Sequence, residues 1–182
     1  MGRLKFATVW LGGCSGCHMS FLDLDEFLFD LAARADVVYS PVGSDIKEYP
    51  EGVDVCLIEG AVNNDENLEA AKTVRDRTRL VVSFGDCAVS GNVTALRNTI
   101  PDGARMVASR SYLEQADLNP MIPQAEGIVP TLLPLALPVH AVIPVDVYIP
   151  GCPPPADRIK AVVQQILEHG TAHLEGRQLK MG

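Results

Sequence analysis

Five short apolar runs, each followed directly by a glycine or a proline, constrain the fold of this chain more than any other feature. The runs cover residues 6–11, 36–40, 53–59, 79–84 and 146–149. A run of this length that ends at a turn residue is typical of a buried β-strand. We therefore predict five strands.

Helical patterns separate several of the predicted strands. Residues 20–34 carry apolar side chains at three- and four-residue spacing, which predicts one amphipathic helix. Residues 64–78 predict a polar helix, and residues 155–170 predict a helix that begins at prolines and ends at Gly170. Between residues 98 and 144 the pattern is weak and indicates only short helical turns near 109–114.

Strands that alternate with helices predict an α/β fold, built on a doubly wound parallel sheet that is covered on both faces. The sequence contains no internal repeat and no flexible linker, so we expect residues 1–182 to form a single domain.

The composition excludes several classes of function. A net charge of −8 without a cluster of lysine and arginine argues against nucleic acid as a partner. Five cysteines, two of them close together, do not suit a secreted disulfide framework, so we expect a cytoplasmic protein. The apolar stretch from 128 to 149 contains four prolines, which argue against a membrane span. We interpret residues 128–144 as a candidate contact with another subunit.

Four of the five cysteines lie in three short blocks that also contain glycine or proline. Cys14 and Cys17 follow the first predicted strand, Cys87 follows the fourth and Cys152 follows the last, while Glu59 ends the third. The carboxyl ends of parallel strands meet at one edge of the sheet, where ligands bind. We therefore expect the blocks to converge there and to supply four thiolates, the number that holds one cubane iron–sulfur cluster.

Two other cysteine chemistries remain open. A redox-active dithiol would use Cys14 and Cys17 at the start of a helix, but it would leave Cys87 and Cys152 without a role. A structural zinc site with four thiolates usually draws its ligands from two closely spaced pairs, whereas this chain has one pair and two distant single cysteines. The iron–sulfur cluster fits this pattern best.

Other polar residues are interpreted by their position. Cys56 lies in the middle of the third strand and is expected to be a buried apolar residue. His18 is expected to lie beside the cluster or at the surface and not to bind iron, because four thiolates suffice. Glu59 is either an ordinary carboxylate at the end of a strand or a group that tunes the cluster or relays a proton. The remaining histidines are expected to be structural or solvated: His140, His169 and His173.

Taken together, the three blocks resemble the small subunit of NiFe hydrogenases, in which a CxGC pair, a GxCA cysteine and a GCPP cysteine occur in this order. The resemblance runs from about residue 9 to residue 170. It implies a flavodoxin-like domain with one proximal 4Fe–4S cluster, bound by Cys14, Cys17, Cys87 and Cys152. It also implies that Glu59 lies near the cluster and a partner subunit.

The details favour one branch of this family. Complex I cluster subunits carry two adjacent cysteines in place of the spaced pair, and no cysteine follows Cys152, so we expect a single cluster. This resembles the short small subunit of cytoplasmic, bidirectional NAD-reducing hydrogenases, and no twin-arginine pair is present. The resemblance implies a large subunit with the NiFe centre and a diaphorase with FMN, further iron–sulfur clusters and NAD. A complex I-like quinone-linked subunit and a flavin-binding module remain the alternatives.

Overall fold

The centre of the protein is a parallel β-sheet, seen in a computed structural model that describes residues 2–181. Five strands form it: β1 (Leu4–Trp10), β2 (Ala35–Tyr39), β3 (Val53–Glu59), β5 (Thr78–Phe84) and β7 (Val147–Ile149). Two further strands, β4 (Val62–Asn64) and β6 (Leu132–Leu137), pair antiparallel outside this sheet.

The strand order of the central sheet is β2-β1-β3-β5-β7. Counted along the chain, these five strands follow the order 2-1-3-4-5, which is that of flavodoxin-like folds. The predicted α/β fold with a doubly wound parallel sheet is therefore confirmed. Its central strand, β3, is almost entirely buried, as expected for a parallel sheet with both faces covered.

Six α-helices and several other helical segments surround the sheet in the described part of the chain. The α-helices are α1 (Gly16–Leu22), α2 (Phe27–Arg34), α3 (Asp65–Arg77), α4 (Asp86–Ser90), α5 (Gly103–Ser109) and α6 (Ala156–His169). The other helical segments are Asn92–Thr99, Arg110–Glu114, Val139–Ala141 and Gly176–Leu179. Side chains of α1, α2 and α6 fill the core on one face of the sheet, and side chains of α3 and α4 help to fill the other.

The single helix predicted for residues 20–34 is wrong. The structure has two helices, α1 and α2, joined by a turn in which Asp25 adopts a left-handed conformation with φ of 48°. Aspartate tolerates this conformation better than most residues. Leu24 remains buried within the turn, and this is why the apolar spacing continues across a break in the helix.

Pairing between distant segments explains the strands that the sequence did not reveal. Strand β6 lies within the proline-rich residues 128–144 and pairs with β4, with Val62 opposite Leu137 and Asn64 opposite Leu132. Leu132 and Leu135 stay exposed on this strand. Among the helices of residues 2–181, none is long and apolar enough to cross a membrane.

Candidate metal centre

The structure brings the three cysteine blocks to the carboxyl edge of the sheet. Cys14 lies in the loop after β1, and Cys17 lies in the first turn of α1. Cys87 lies in α4, directly after β5, and Cys152 follows β7. Cys17 is buried, Cys87 is half-buried, and Cys14 and Cys152 are exposed. The predicted convergence of the blocks is therefore observed.

The neighbouring thiols and Glu59 affect the pKa of Cys17. Burial is the main cause that raises this pKa above its ordinary value, followed by the charge of Glu59 and then by the three other thiols of the blocks. Burial also raises the pKa of Cys87, with smaller contributions from Cys152, Cys14 and Glu59. Burial and neighbouring negative charge therefore favour the neutral thiol form of Cys17 and Cys87, unless a cation binds beside them.

Gly85 allows the loop after β5 to pass directly beside the Cys17 thiol. Its φ is +84°, a conformation that favours glycine, and a Cβ atom there would lie 2.1 Å from Cys17 Sγ. Any larger residue would displace the thiol or the loop. The glycine is therefore a spatial requirement of the site.

Hydrogen bonds join the Cys87 loop to the Cys152 loop. The carboxylate of Asp86 accepts a hydrogen bond from the Gly151 backbone N–H at 2.6 Å, and the Asp86 N–H donates to the Gly151 carbonyl at 2.8 Å. Asp86 is itself buried. This reciprocal pair fixes the distance between the loops that carry Cys87 and Cys152.

Two further contacts attach Cys152 and its loop to neighbouring elements. The hydroxyl of Ser20, in α1, donates to the Pro154 carbonyl at 2.6 Å. The side-chain amide of Asn92 donates to the Cys152 sulfur at 3.3 Å. The roles of Asp86, Ser20 and Asn92 were not predicted from the sequence. Only Asp86 carried a usable signal, since it lies between Gly85 and Cys87.

Glu59 forms hydrogen bonds with the backbone of the first turn of α1. Its carboxylate is buried, accepts a hydrogen bond from the His18 backbone N–H at 2.9 Å and a longer one from the Cys17 N–H at 3.4 Å. The same carboxylate pairs with Nδ1 of the His18 ring. Glu59 is thus more than an ordinary carboxylate at a strand end, because it holds the backbone that carries Cys17.

The other sequence interpretations have mixed outcomes. A surface position for His18 is wrong, because its side chain is buried against Glu59 and packs near Phe84. Cys56 is fully buried in the core on the opposite face from Cys17, and burial raises its pKa to about 12. The remaining histidines are exposed: His140, His169 and His173.

The donor set consists of four thiols that three loops bring to one edge of the sheet. Thiolates are the ligands that iron–sulfur clusters take, so the chemistry of this set suits such a cluster. Within residues 2–181, no three His, Cys, Asp or Glu side chains are gathered closely enough to hold one metal ion.

The sequence matches the family model described as NADH ubiquinone oxidoreductase, 20 Kd subunit, over residues 14–166. It is 34% identical over 172 residues to the delta subunit of the NAD-reducing hydrogenase HoxS of Cupriavidus necator, a match that covers 91% of this chain and 79% of that subunit. The predicted resemblance to hydrogenase small subunits is confirmed.

Another relative is a subunit of a different hydrogenase. One subunit of the F420-non-reducing hydrogenase of Methanothermobacter marburgensis is 40% identical over 174 residues, with 91% of this chain covered. The chain spans about half the length of that relative, 54%.

A solved structure matches along the whole chain. It is a chain of the crystal structure of an NAD+-reducing [NiFe]-hydrogenase in the H2-reduced state, with a TM-score of 0.90 and 34% sequence identity. The match covers 100% of both chains.

The space beside Cys17 can be tested with two glycine variants. Gly85→Ala is expected to lower the free energy of unfolding by about 3 kcal/mol or more, because the new methyl group adds a clash to the cost of a positive φ. Gly127→Ala is the matched control, since its φ is +71° and no atom lies within 4 Å of the added Cβ. It should cost only about 1 kcal/mol. If urea denaturation showed the same loss of unfolding free energy for both variants, the close approach of residue 85 to the Cys17 thiol would be contradicted.

Proposed function

The chain belongs to the NADH ubiquinone oxidoreductase 20 Kd subunit family, and we propose that it is the electron-transferring small subunit of a NiFe hydrogenase. The observation that carries this proposal is the convergence of Cys14, Cys17, Cys87 and Cys152 at one sheet edge. These four residues would hold one 4Fe–4S cluster. When bound, the cluster would supply one-electron redox chemistry.

The protein around these thiols has two tasks, and the first is to fix their positions. Glu59 holds the turn that carries Cys17, and Asp86 holds the loop of Cys87 against that of Cys152. Removal of a group that orients a metal ligand typically lowers metal affinity by roughly 10- to 100-fold.

The second task is to set the polarity around the sulfurs. The side-chain amide of Asn92 donates a hydrogen bond to the Cys152 sulfur. A hydrogen bond to a ligand sulfur stabilises the more negative, reduced state of a cluster. Burial of Cys17 keeps water away on the inner side. The buried Glu59 has the opposite effect from Asn92, since a negative charge nearby disfavours reduction.

We propose that electrons arrive from a large subunit whose NiFe centre cleaves dihydrogen, and that they leave toward a diaphorase that reduces NAD. The diaphorase would carry FMN and further iron–sulfur clusters. The similarity of this chain to the delta subunit of the NAD-reducing hydrogenase of Cupriavidus necator, which extends over 79% of that subunit, supports this assignment. The chain would act in the cytoplasm as a single domain that performs no bond-breaking step itself.

Two alternatives follow from other observations. The name of the matched family favours a complex I-like, quinone-linked subunit. The flavodoxin-like strand order favours a flavin-binding module, although the cysteine loops occupy the edge at which a flavin would bind. Co-purification with a soluble diaphorase would exclude the first, and an absorption spectrum without flavin peaks would exclude the second.

Iron and acid-labile sulfide content tests the cluster assignment. Anaerobically purified chain is expected to contain about four irons and four sulfides. Each of Cys14→Ser, Cys17→Ser, Cys87→Ser and Cys152→Ser should lose most of both. Cys56→Ala is the control and should retain them, because Cys56 lies in the core away from the four thiols. Zinc in the wild-type chain, or unchanged iron in the serine variants, would overturn the assignment.

The support that Glu59 gives to Cys17 predicts a loss of cluster affinity in Glu59→Ala. Release of iron to a chelator should become roughly 10- to 100-fold easier, as is typical when a group that orients a ligand is removed. Glu59→Gln keeps an oxygen acceptor and should lie close to wild type. Glu51→Ala removes an exposed carboxylate and serves as the control. Equal iron release from all three variants would rule out the supporting role.

The partner proposal is tested by purification of the assembled complex. The chain is expected to co-purify with a large subunit and a diaphorase. We propose that residues 128–144 contact a partner, so Leu135→Glu should reduce the yield of complex. Leu179→Glu is the matched control, because Leu135 is 49% exposed and Leu179 is 50% exposed. An intact complex with Leu135→Glu would count against this contact.

A further inference from the structure

A small cavity of about 120 Å³ lies between β1, α1 and the segment that follows β2. Apolar side chains from these three elements form most of its wall. Its polar side chains are those of Thr8, His18 and Ser40. None of the four cysteines of the candidate site lines this cavity.

One ring nitrogen of His18 has no hydrogen-bond partner among residues 2–181. The side chain is 1% exposed, and Nδ1 is occupied by Glu59. Nε2 is buried, and no group of the described residues bonds to it. A buried polar atom without a partner costs about 1–3 kcal/mol. Because His18 lines the cavity, an occupant that hydrogen-bonds to Nε2 would remove this penalty.

The two hydroxyls of the cavity still have unused hydrogen-bonding capacity. Thr8 Oγ1 donates to Ser40 Oγ at 2.9 Å, and the Val42 backbone N–H also donates to Ser40 Oγ. The Ser40 hydrogen and the lone pairs of Thr8 therefore remain free for a further molecule. The pair can complement Nε2 of His18 through a molecule that both donates and accepts.

We propose that this cavity is a water-binding site, in which a bound water molecule hydrogen-bonds to His18 Nε2 and to the Thr8–Ser40 hydroxyl pair. A buried water needs roughly 10–15 Å³ of such volume and two to four polar partners, and the cavity provides both. The water holds the imidazole in the orientation in which Nδ1 pairs with Glu59. Thr8 and Ser40 thereby become positioning residues for the first turn of α1.

An experimental structure of the full chain in its complex, at a resolution that shows ordered water, tests the occupant directly. A water within hydrogen-bond distance of His18 Nε2 and of Thr8 or Ser40 is expected. An empty cavity, or a side chain that fills it, would overturn the proposal. The presence or absence of this water does not depend on the iron content of the sample. Failure of the water proposal can therefore be distinguished from failure of the cluster assignment.

Hydrogen exchange of the complex tests what the water does. Thr8→Val keeps the shape of the side chain but removes its hydroxyl, and it should speed exchange of the His18 backbone N–H roughly fivefold. Thr8→Ser keeps the hydroxyl and should retain the protection. If Thr8→Val speeds exchange only at Val42, the hydroxyl pair merely fixes its own loop. That result would overturn the positioning role.

Discussion

The parallel pairing of β1, β3, β5 and β7 is the constraint on which the candidate site depends. Because neighbouring strands run in one direction, the chain leaves the sheet at the same edge after each of them. Three of these exits carry cysteines, and the fourth carries Glu59. Residues separated by more than a hundred positions in the sequence become neighbours in this way. The sheet topology therefore sets the approximate positions of the four cysteines and Glu59, and the hydrogen bonds of the site adjust these positions.

Two buried carboxylates hold the loops that carry the cysteines. Glu59 accepts hydrogen bonds from the turn that carries Cys17, and Asp86 accepts one from the loop that carries Cys152. Each satisfies backbone N–H groups that would otherwise be buried without a partner. The carboxylate of Glu59 also places negative charge beside thiols that must lose protons to bind metal. A bound cationic cluster core would offset this repulsion.

The elements that could be predicted from the sequence are those whose signal lies within a few consecutive residues. Apolar runs closed by glycine or proline predicted all five strands of the central sheet, and helix α6 begins next to the predicted prolines and ends at Gly170. Long-range contacts explain what was missed. The antiparallel pair of β4 and β6 joins segments about 70 residues apart, and neither strand has a pattern of its own. In the same way, the bond from Ser20 to Pro154 exists only because α1 folds against the last cysteine loop.

The central claim, that these four thiols bind a single redox-active cubane, is tested most directly by electron paramagnetic resonance of the anaerobically reduced chain. The account predicts one S = ½ iron–sulfur signal, integrating to about one spin per chain, that disappears on oxidation. A flavin radical in its place, or the absence of any iron–sulfur signal from chain that has been reconstituted with iron and sulfide, would contradict it.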